Sequence, residues 1–478
     1  VRVLAVDQGT SSTRALMRGP DGALQLLKQM AHRQILPRPG HVEHDPEELL
    51  AHVAACAKAA EADLVGLANQ GESCLAWDAR DGRPVSPVIV WQDDRTAGIT
   101  RALEAEAVGP EVMARAGLPL DPYFSASKLG WILRHLPVAA DLARQGHMRL
   151  GTTDAYFRDR LTGRFETDIA TASRTSLLNL ATGEWDPALC EIFGVPIAAL
   201  PAITPTAGEL GVLPGGARLA ASIVDQQAAL YGHGCRVPGD AKVTFGTGAF
   251  VQCLTVDLIR PDQPGPLPTV AWHMPGRAVV HALDGAVYTA AAAVNWARDL
   301  GLFDDFAAIS RFDCPPAIDR GLVFLPALAG LACPHWDRRA RGAWVGLSLE
   351  AGPQDLMQAL IEGVALRVAE AVQAIGVLQP VTGLSVDGGM ARNDYLLGFL
   401  AGLIPHPLHR AAEVETTALG LVQMALAAEG LDDRARSSPE PVERPMTDSG
   451  GAARRLERFA RVRAGIAALG HEIGDTPE

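Results

Sequence analysis

A chain of 478 residues is too long for one ordinary hydrophobic core, so two domains are expected. Hydrophobic residues make up 48% and charged residues 20%, a globular profile that excludes extensive disorder. The 42 Lys and Arg against 55 Asp and Glu give a net charge of −13, which excludes a nucleic-acid-coating protein, because neutralising many phosphates needs a basic face. A small phosphate ligand stays open, since backbone N–H groups hold one without a basic patch.

The first 30 residues read as three strands, Val1 to Val6, Arg14 to Arg18 and Ala23 to Met30. The first two are joined by Asp7-Gln-Gly-Thr-Ser-Ser-Thr13, and a Gly19-to-Gly22 hairpin turn leads into the third. Asp45 then reads as an N-cap, with Pro46 at the first helical position and Glu48 completing a capping box before Leu49, Leu50 and Val53. Leu64 to Ala68 is the next predicted strand and delivers Asn69-Gln-Gly-Glu72. Strands alternating with helices predict an α/β chain.

Near residue 220 the pattern begins again. Leu219 to Val224 reads as a strand ending in Asp225-Gln-Gln227, where Asp225 is either a helix cap or a general base. Ala241 to Phe245, the turn Gly246-Thr-Gly248 and Ala249 to Val256 resemble the opening strand, Gly-Thr turn and strand, which is either an internal duplication or a chance recurrence of such turns. Arg260 to Pro268, rich in proline, reads as a surface loop. Val386-Asp-Gly-Gly-Met-Ala-Arg-Asn393 reads as a strand feeding paired glycines and a helix start. Leu431 to Ala453 is a polar connection to a last helix, Ala453 to Leu469.

The seven cysteines are widely spaced without a C-x-x-C and sit in apolar stretches, so buried reduced thiols are expected. The N-terminus is too quickly polar for a signal peptide and no run of 18 apolar residues occurs, so a cytoplasmic location without membrane insertion is expected. No G-x-x-x-x-G-K-[ST] occurs, so P-loop chemistry lacks its phosphate cradle. In its place Asp7-Gln-Gly-Thr-Ser-Ser-Thr-Arg14 packs a glycine and small hydroxyls into a tight turn, where backbone and side chains can donate to a phosphate and Asp7 can hold Mg²⁺.

Two longer stretches carry a family resemblance. Tyr123-Phe-Ser-Ala-Ser-Lys-Leu-Gly-Trp131 with Ile132 to His135, and Gly342-Ala-Trp-Val-Gly-Leu347 followed by Asp355-Leu356 and Ala359 to Glu362, are similar to the two signatures of the FGGY carbohydrate kinases. Gly40 to Pro46, Ile89 to Gln92, Leu120 to Ser125, Asp225 to Leu230 and Pro334 to Asp337 resemble the glycerol kinase branch of that family. The resemblance implies an α/β fold of two duplicated actin/Hsp70/sugar-kinase-type (ribonuclease H-like) domains around an ATP and substrate cleft, here 1–232 and 233–478. It implies ATP and Mg²⁺, with Thr10, Ser11, Ser12, Arg14 and Thr247 at the phosphates, and Ala291, Asn295, Gly389 and Asn393 at the rest of the nucleotide. Asp7 is then the metal residue and Asp225 the catalytic base. Glu72, Trp91, Tyr123, Gln226 and Phe250 join Asp225 around a small polyol or sugar, most simply glycerol. A homodimer or homotetramer is left open.

Three departures qualify that picture. Gly71 stands where the family places an Arg donor, which removes a charged hydrogen-bond donor and is expected to leave room for a longer polyol or ketose, the alternative acceptor class. Ala291 and Asn295 replace a Gly and a Gln, and are expected to alter ATP affinity. The Gly211-to-Ala217 loop is shorter than the one that carries a sugar-bisphosphate regulatory site in some relatives, so that regulation is not expected.

Overall fold

Two sheets of like topology organise the chain, one in each of two units. The computed structural model describes residues 1–19, 22–261, 263–431, 439–444 and 451–474. The first unit is Val1–Gly234 with Pro268–Ala282 and Glu415–Arg436, and the second is Cys235–Leu267 with Leu283–Val414 and Ser437–Glu478. No helix among the described residues is long and apolar enough to cross a membrane.

In the first unit the sheet runs Arg218–Val224, Leu64–Asn69, Val3–Gln8, Ser12–Arg18, Leu24–Ala31. The first three strands are parallel and the last two turn back as antiparallel neighbours. Every residue of Val3–Gln8 and Leu64–Asn69 is buried, as parallel strands covered on both faces require. One face is covered by helix Pro46–Ala57, whose Leu49, Val53 and Cys56 pack with Leu4, Val6, Val65 and Leu67. Asp45 caps that helix by accepting from the Glu47 and Glu48 N–H groups. The expected capping box is not completed that way, since the Glu48 carboxylate accepts from the Arg33 N–H at 3.4 Å.

Helix Thr416–Ala428 packs against the strands Val3–Gln8, Leu64–Asn69 and Arg218–Val224 and against helix Asp225–Gly232. The approach is glycine-limited. A Cβ on Gly420 would lie 1.9 Å from the Ala228 carbonyl oxygen, and one on Gly232 would lie 1.9 Å from the Thr416 carbonyl oxygen. Backbone on both sides leaves nothing flexible to yield, so Gly420→Ala should destabilise the unit by about 1–3 kcal/mol or more in chemical denaturation. The same change should displace the helix that begins at Asp225.

In the second unit Asp240–Phe245 pairs antiparallel with Ala249–Leu254 and parallel with Gly383–Gly388, which pairs parallel with Leu408–Arg410. A hairpin whose first strand feeds a run of parallel strands therefore occurs in both units, as the expected duplication requires. The 26-residue helix Pro353–Leu378 is buried along most of its length, and Leu360, Val364 and Val368 lie in the same core as Val243, Val251 and Val386.

Several sequence expectations shift. Strand Leu267–Trp272 begins inside the proline-rich stretch, so the loop ends earlier than Pro268. After Gly388 the chain makes a 3₁₀ turn, Gly389–Arg392, before helix Asp394–Leu403. The last helix is longer, Gly451–Gly474, and most of the predicted Leu431-to-Ala453 connection lies outside the described residues. The tip of the first hairpin, residues 20–21, also lies outside them. All cysteines are free thiols, but Cys314 is exposed where a buried one was expected.

Candidate active site

Gln8 and Val224 both stand opposite Asn69 in the register of the first sheet. The segments that follow them, Gly9 to Ser12, Gln70 to Ser73 and Asp225, therefore leave from one edge of three adjacent parallel strands. That carboxyl edge is where α/β sheets bind ligands.

The first segment is a closed turn in which the Gly9 N–H donates to the Ser12 carbonyl at 3.0 Å. Ser11 is exposed, and Thr10 and Ser12 are half-buried. Arg14 donates to Asp7 Oδ2 at 2.7 Å and pairs with Glu415 at 2.6 Å. Burial opposes its charge, yet Asp7 and Glu415 together raise its pKa above the usual arginine value. Asp7 is nearly buried at the strand end, one carboxylate beside a hydroxyl-lined turn. That donor set fits Mg²⁺, which favours one or two carboxylates together with phosphate and water oxygens.

Trp91 and, through it, Tyr123 are tied to this turn. The Trp91 indole N–H donates to Thr10 Oγ1 at 3.0 Å, and its ring meets Tyr123 edge-on at 5.7 Å. Lys128, fully buried, donates to the Tyr123 carbonyl at 2.8 Å and reaches the Trp91 carbonyl at 3.5 Å. Burial pulls its ammonium pKa down, against the nearby Cys74, Asp93, Glu72 and Asp121. Glu72 is held in the left-handed region at φ 57°, uncommon for a residue with a side chain. Its carbonyl accepts from Ser125 Oγ at 2.9 Å, and its Oε1 accepts from Arg174 Nε at 2.8 Å. Asp225 is the first residue of its helix rather than the cap, half-buried beside Gln226, and its Oδ1 accepts from the Gln226 N–H at 2.7 Å.

A Cβ on Gly71 would lie 2.9 Å from Val224 Cγ2 and, its chain neighbours aside, within 4 Å of no other atom, so one methyl group limits a side chain at that position.

In the second unit Thr247 is exposed at the tip of its turn. The turn is stitched to the following helix: the Ala290 N–H donates to the Thr247 carbonyl at 2.9 Å and the Ala291 N–H to the Gly246 carbonyl at 3.2 Å. Phe250 lies on the return strand opposite Thr244. Asn295 is exposed on helix Ala291–Asp299. Gly388 has φ 90°, and a Cβ there would meet the Phe245 carbonyl at 2.2 Å, whereas a Cβ on Gly389 would meet nothing within 4 Å. Asn393 is a helix cap: its Oδ1 accepts from the Leu396 N–H and its Nδ2 donates to the Ile309 carbonyl, both at 2.9 Å.

Sequence reasoning gave no role to Arg174, Lys128 or Glu415. Arg174 and Lys128 are cations set in runs of otherwise uncharged buried residues, Ile169 to Ser176 and Phe124 to Gly130, and that was the available signal.

Comparison with known proteins gives a consistent picture. Residues 2–224 match the N-terminal domain of the FGGY family of carbohydrate kinases and residues 241–429 match its C-terminal domain. A glycerol kinase from Trichlorobacter lovleyi is 40% identical over 90% of both chains. One from Thermus brockianus is 41% identical over 87% of this chain and 88% of its own. The crystal structure of Plasmodium falciparum glycerol kinase with ADP superposes with a TM-score of 0.86 at 24% identity, covering 97% of this chain and 98% of the other. Gluconate kinase from Lactobacillus acidophilus gives 0.86 at 20% identity over 99% of both, a likeness of fold alone.

Proposed function

Because the chain belongs to the FGGY family of carbohydrate kinases, we propose that it transfers the γ-phosphoryl group of ATP to a terminal hydroxyl of glycerol. The observation that carries this reading is the shared carboxyl edge of the first sheet, where the hydroxyl-rich turn, Glu72 and Asp225 come together. The relatives named glycerol kinases, near 40% identity across nine-tenths of the chain, support glycerol as the acceptor.

Asp225 takes the proton from the terminal hydroxyl as its oxygen attacks the γ-phosphorus in line and ADP departs. Glu72, Gln226, Trp91 and Tyr123 orient the polyol, the two rings shielding its carbon face and Glu72 accepting from its hydroxyls. Thr10, Ser11, Ser12 and Arg14 donate to the phosphates, and Arg14 exchanges part of its carboxylate pairing for phosphate oxygens. Asp7 would hold Mg²⁺, which would supply neutralisation of the phosphate charge. In the second unit Thr247 and the open face of Gly389 are the nucleotide contacts proposed first. Ala291, Asn295 and Asn393 follow, and Asn393 acts by shaping the backbone because its amide is engaged in the cap. The division into halves 1–232 and 233–478 belongs to the same reading.

A coupled ADP-release screen over glycerol, tetritols, pentitols, ketopentoses and gluconate tests it. Glycerol should be turned over, and gluconate should fall about 100-fold or more below it in kcat/KM, because a third carboxylate meets Glu72 and Asp225, and like charges brought together cost several kcal/mol. Absence of ADP release with every polyol overturns the reading.

A further inference from the structure

Position 71 lies between Gln70 and Glu72, on the segment that carries an acceptor-side carboxylate, and it has no side chain. Its surroundings explain why. Val224 ends the neighbouring parallel strand, is 2% exposed, and directs Cγ2 to 2.9 Å from where a Cβ on Gly71 would stand. A contact under about 3.0 Å is relieved cheaply only by the end of a flexible side chain, and valine is β-branched with a stiff χ1. Relief of the contact therefore asks Val224 to leave a preferred rotamer or to shift its backbone, and its next residue is Asp225. The segment around position 71 is equally fixed: the Ser73 N–H donates to the Gly71 carbonyl at 2.6 Å, and Glu72 sits in the left-handed region. A single close contact, the Val224 Cγ2 methyl, crowds the first carbon of any side chain at position 71.

We propose that Val224 is a specificity-determining residue that acts through position 71, by crowding any side chain there and so leaving acceptor recognition to Glu72, Asp225 and Gln226. This inference rests on the polyol-kinase reading above. It predicts that an acceptor-contacting side chain can be installed at 71 only when residue 224 is reduced at the same time. The pair is therefore expected to show coupling of opposite sign: a substitution at 71 that harms alone becomes useful beside a smaller residue 224.

The test is a double-mutant cycle on the full chain, read by thermal unfolding and by steady-state kinetics. Gly71→Ala should lower Tm by about 2 °C or more in the parent chain and by clearly less in a Val224→Ala background, whatever Val224→Ala costs by itself. Gly71→Arg alone should reduce kcat/KM for glycerol about tenfold. Gly71→Arg with Val224→Gly should recover that loss and raise the ratio of glycerol to four-carbon tetritol turnover about tenfold over the unmodified chain, since the arginine then narrows and charges the acceptor side. Additive Tm changes across the cycle, or equal kinetics for Gly71→Arg with and without the change at 224, overturn the inference. The thermal arm reads the contact even in a chain that phosphorylates no polyol. Failure of the kinase reading and failure of the coupling therefore give different results.

Discussion

Asp225→Asn should lower kcat for glycerol phosphorylation about 10²–10⁴-fold, the range lost when a positioned general base is removed. Asparagine keeps the volume and the Oδ1 that accepts from the Gln226 N–H at 2.7 Å, so the helix start survives. It also leaves untouched the glycine-limited packing of that helix against Thr416–Ala428. What it removes is the ability to accept a proton. The loss should therefore fall on kcat, with KM for glycerol and Kd for ATP within about threefold, since ground-state contacts remain. Single-turnover kinetics beside equilibrium nucleotide binding measure the split. Retention of more than about a tenth of kcat would assign the proton to another acceptor.

Much of that edge was legible in the residues. The Gly-Thr turns, the strand ending at Val224 and the helix begun by Asp225 follow local rules of backbone geometry, and short-range rules can be read along a chain. The duplication was legible too, because each copy repeats an apolar strand, a glycine turn and a return strand. What could not be read are the partners set by tertiary distance. Glu415 reaches Arg14 across 401 positions, and Arg174 reaches Glu72 across 102. Neither pair has periodicity or motif spacing to betray it. Gly71 shows the same limit in reverse. A missing side chain reads as room, but what a side chain there would meet depends on the neighbouring strand, whose Val224 Cγ2 stands 2.9 Å from the Cβ position. Asn393 was legible as part of a strand-to-helix turn, but its cap and its bond to the Ile309 carbonyl depend on a segment 84 positions away.

The Arg174–Glu72 pair sets the second large effect. Both side chains are almost fully buried, at 5% and 6% exposure, with Arg174 Nε 2.8 Å from Glu72 Oε1 and its guanidinium over the Phe124 ring at 5.5 Å. Arg174→Met keeps the apolar stem but takes the guanidinium away from a buried carboxylate, and breaking one side of such a pair costs about 3–5 kcal/mol. The cost falls on a residue already held at φ 57°, a conformation that carries about 1–2 kcal/mol of strain and needs its surroundings to persist. Glu72 should relax out of it or take up a proton, and either response weakens its grip on polyol hydroxyls. The expected result is a stability loss of about 3–5 kcal/mol by denaturant unfolding, with KM for glycerol raised at least about tenfold and kcat changed less. Adding Glu72→Gln removes the buried charge and should restore most of the stability but none of the glycerol affinity, because the carboxylate proposed to accept from the polyol is gone. Arg174→Lys should fall between, since an ammonium keeps the charge without the planar guanidinium that reaches Oε1 and covers the ring. An Arg174→Met chain within about 1 kcal/mol of the parent would show that the pair's coulombic attraction only offsets its desolvation. The hydrogen bond from Ser125 Oγ to the Glu72 carbonyl would then help to place Glu72 without that pair.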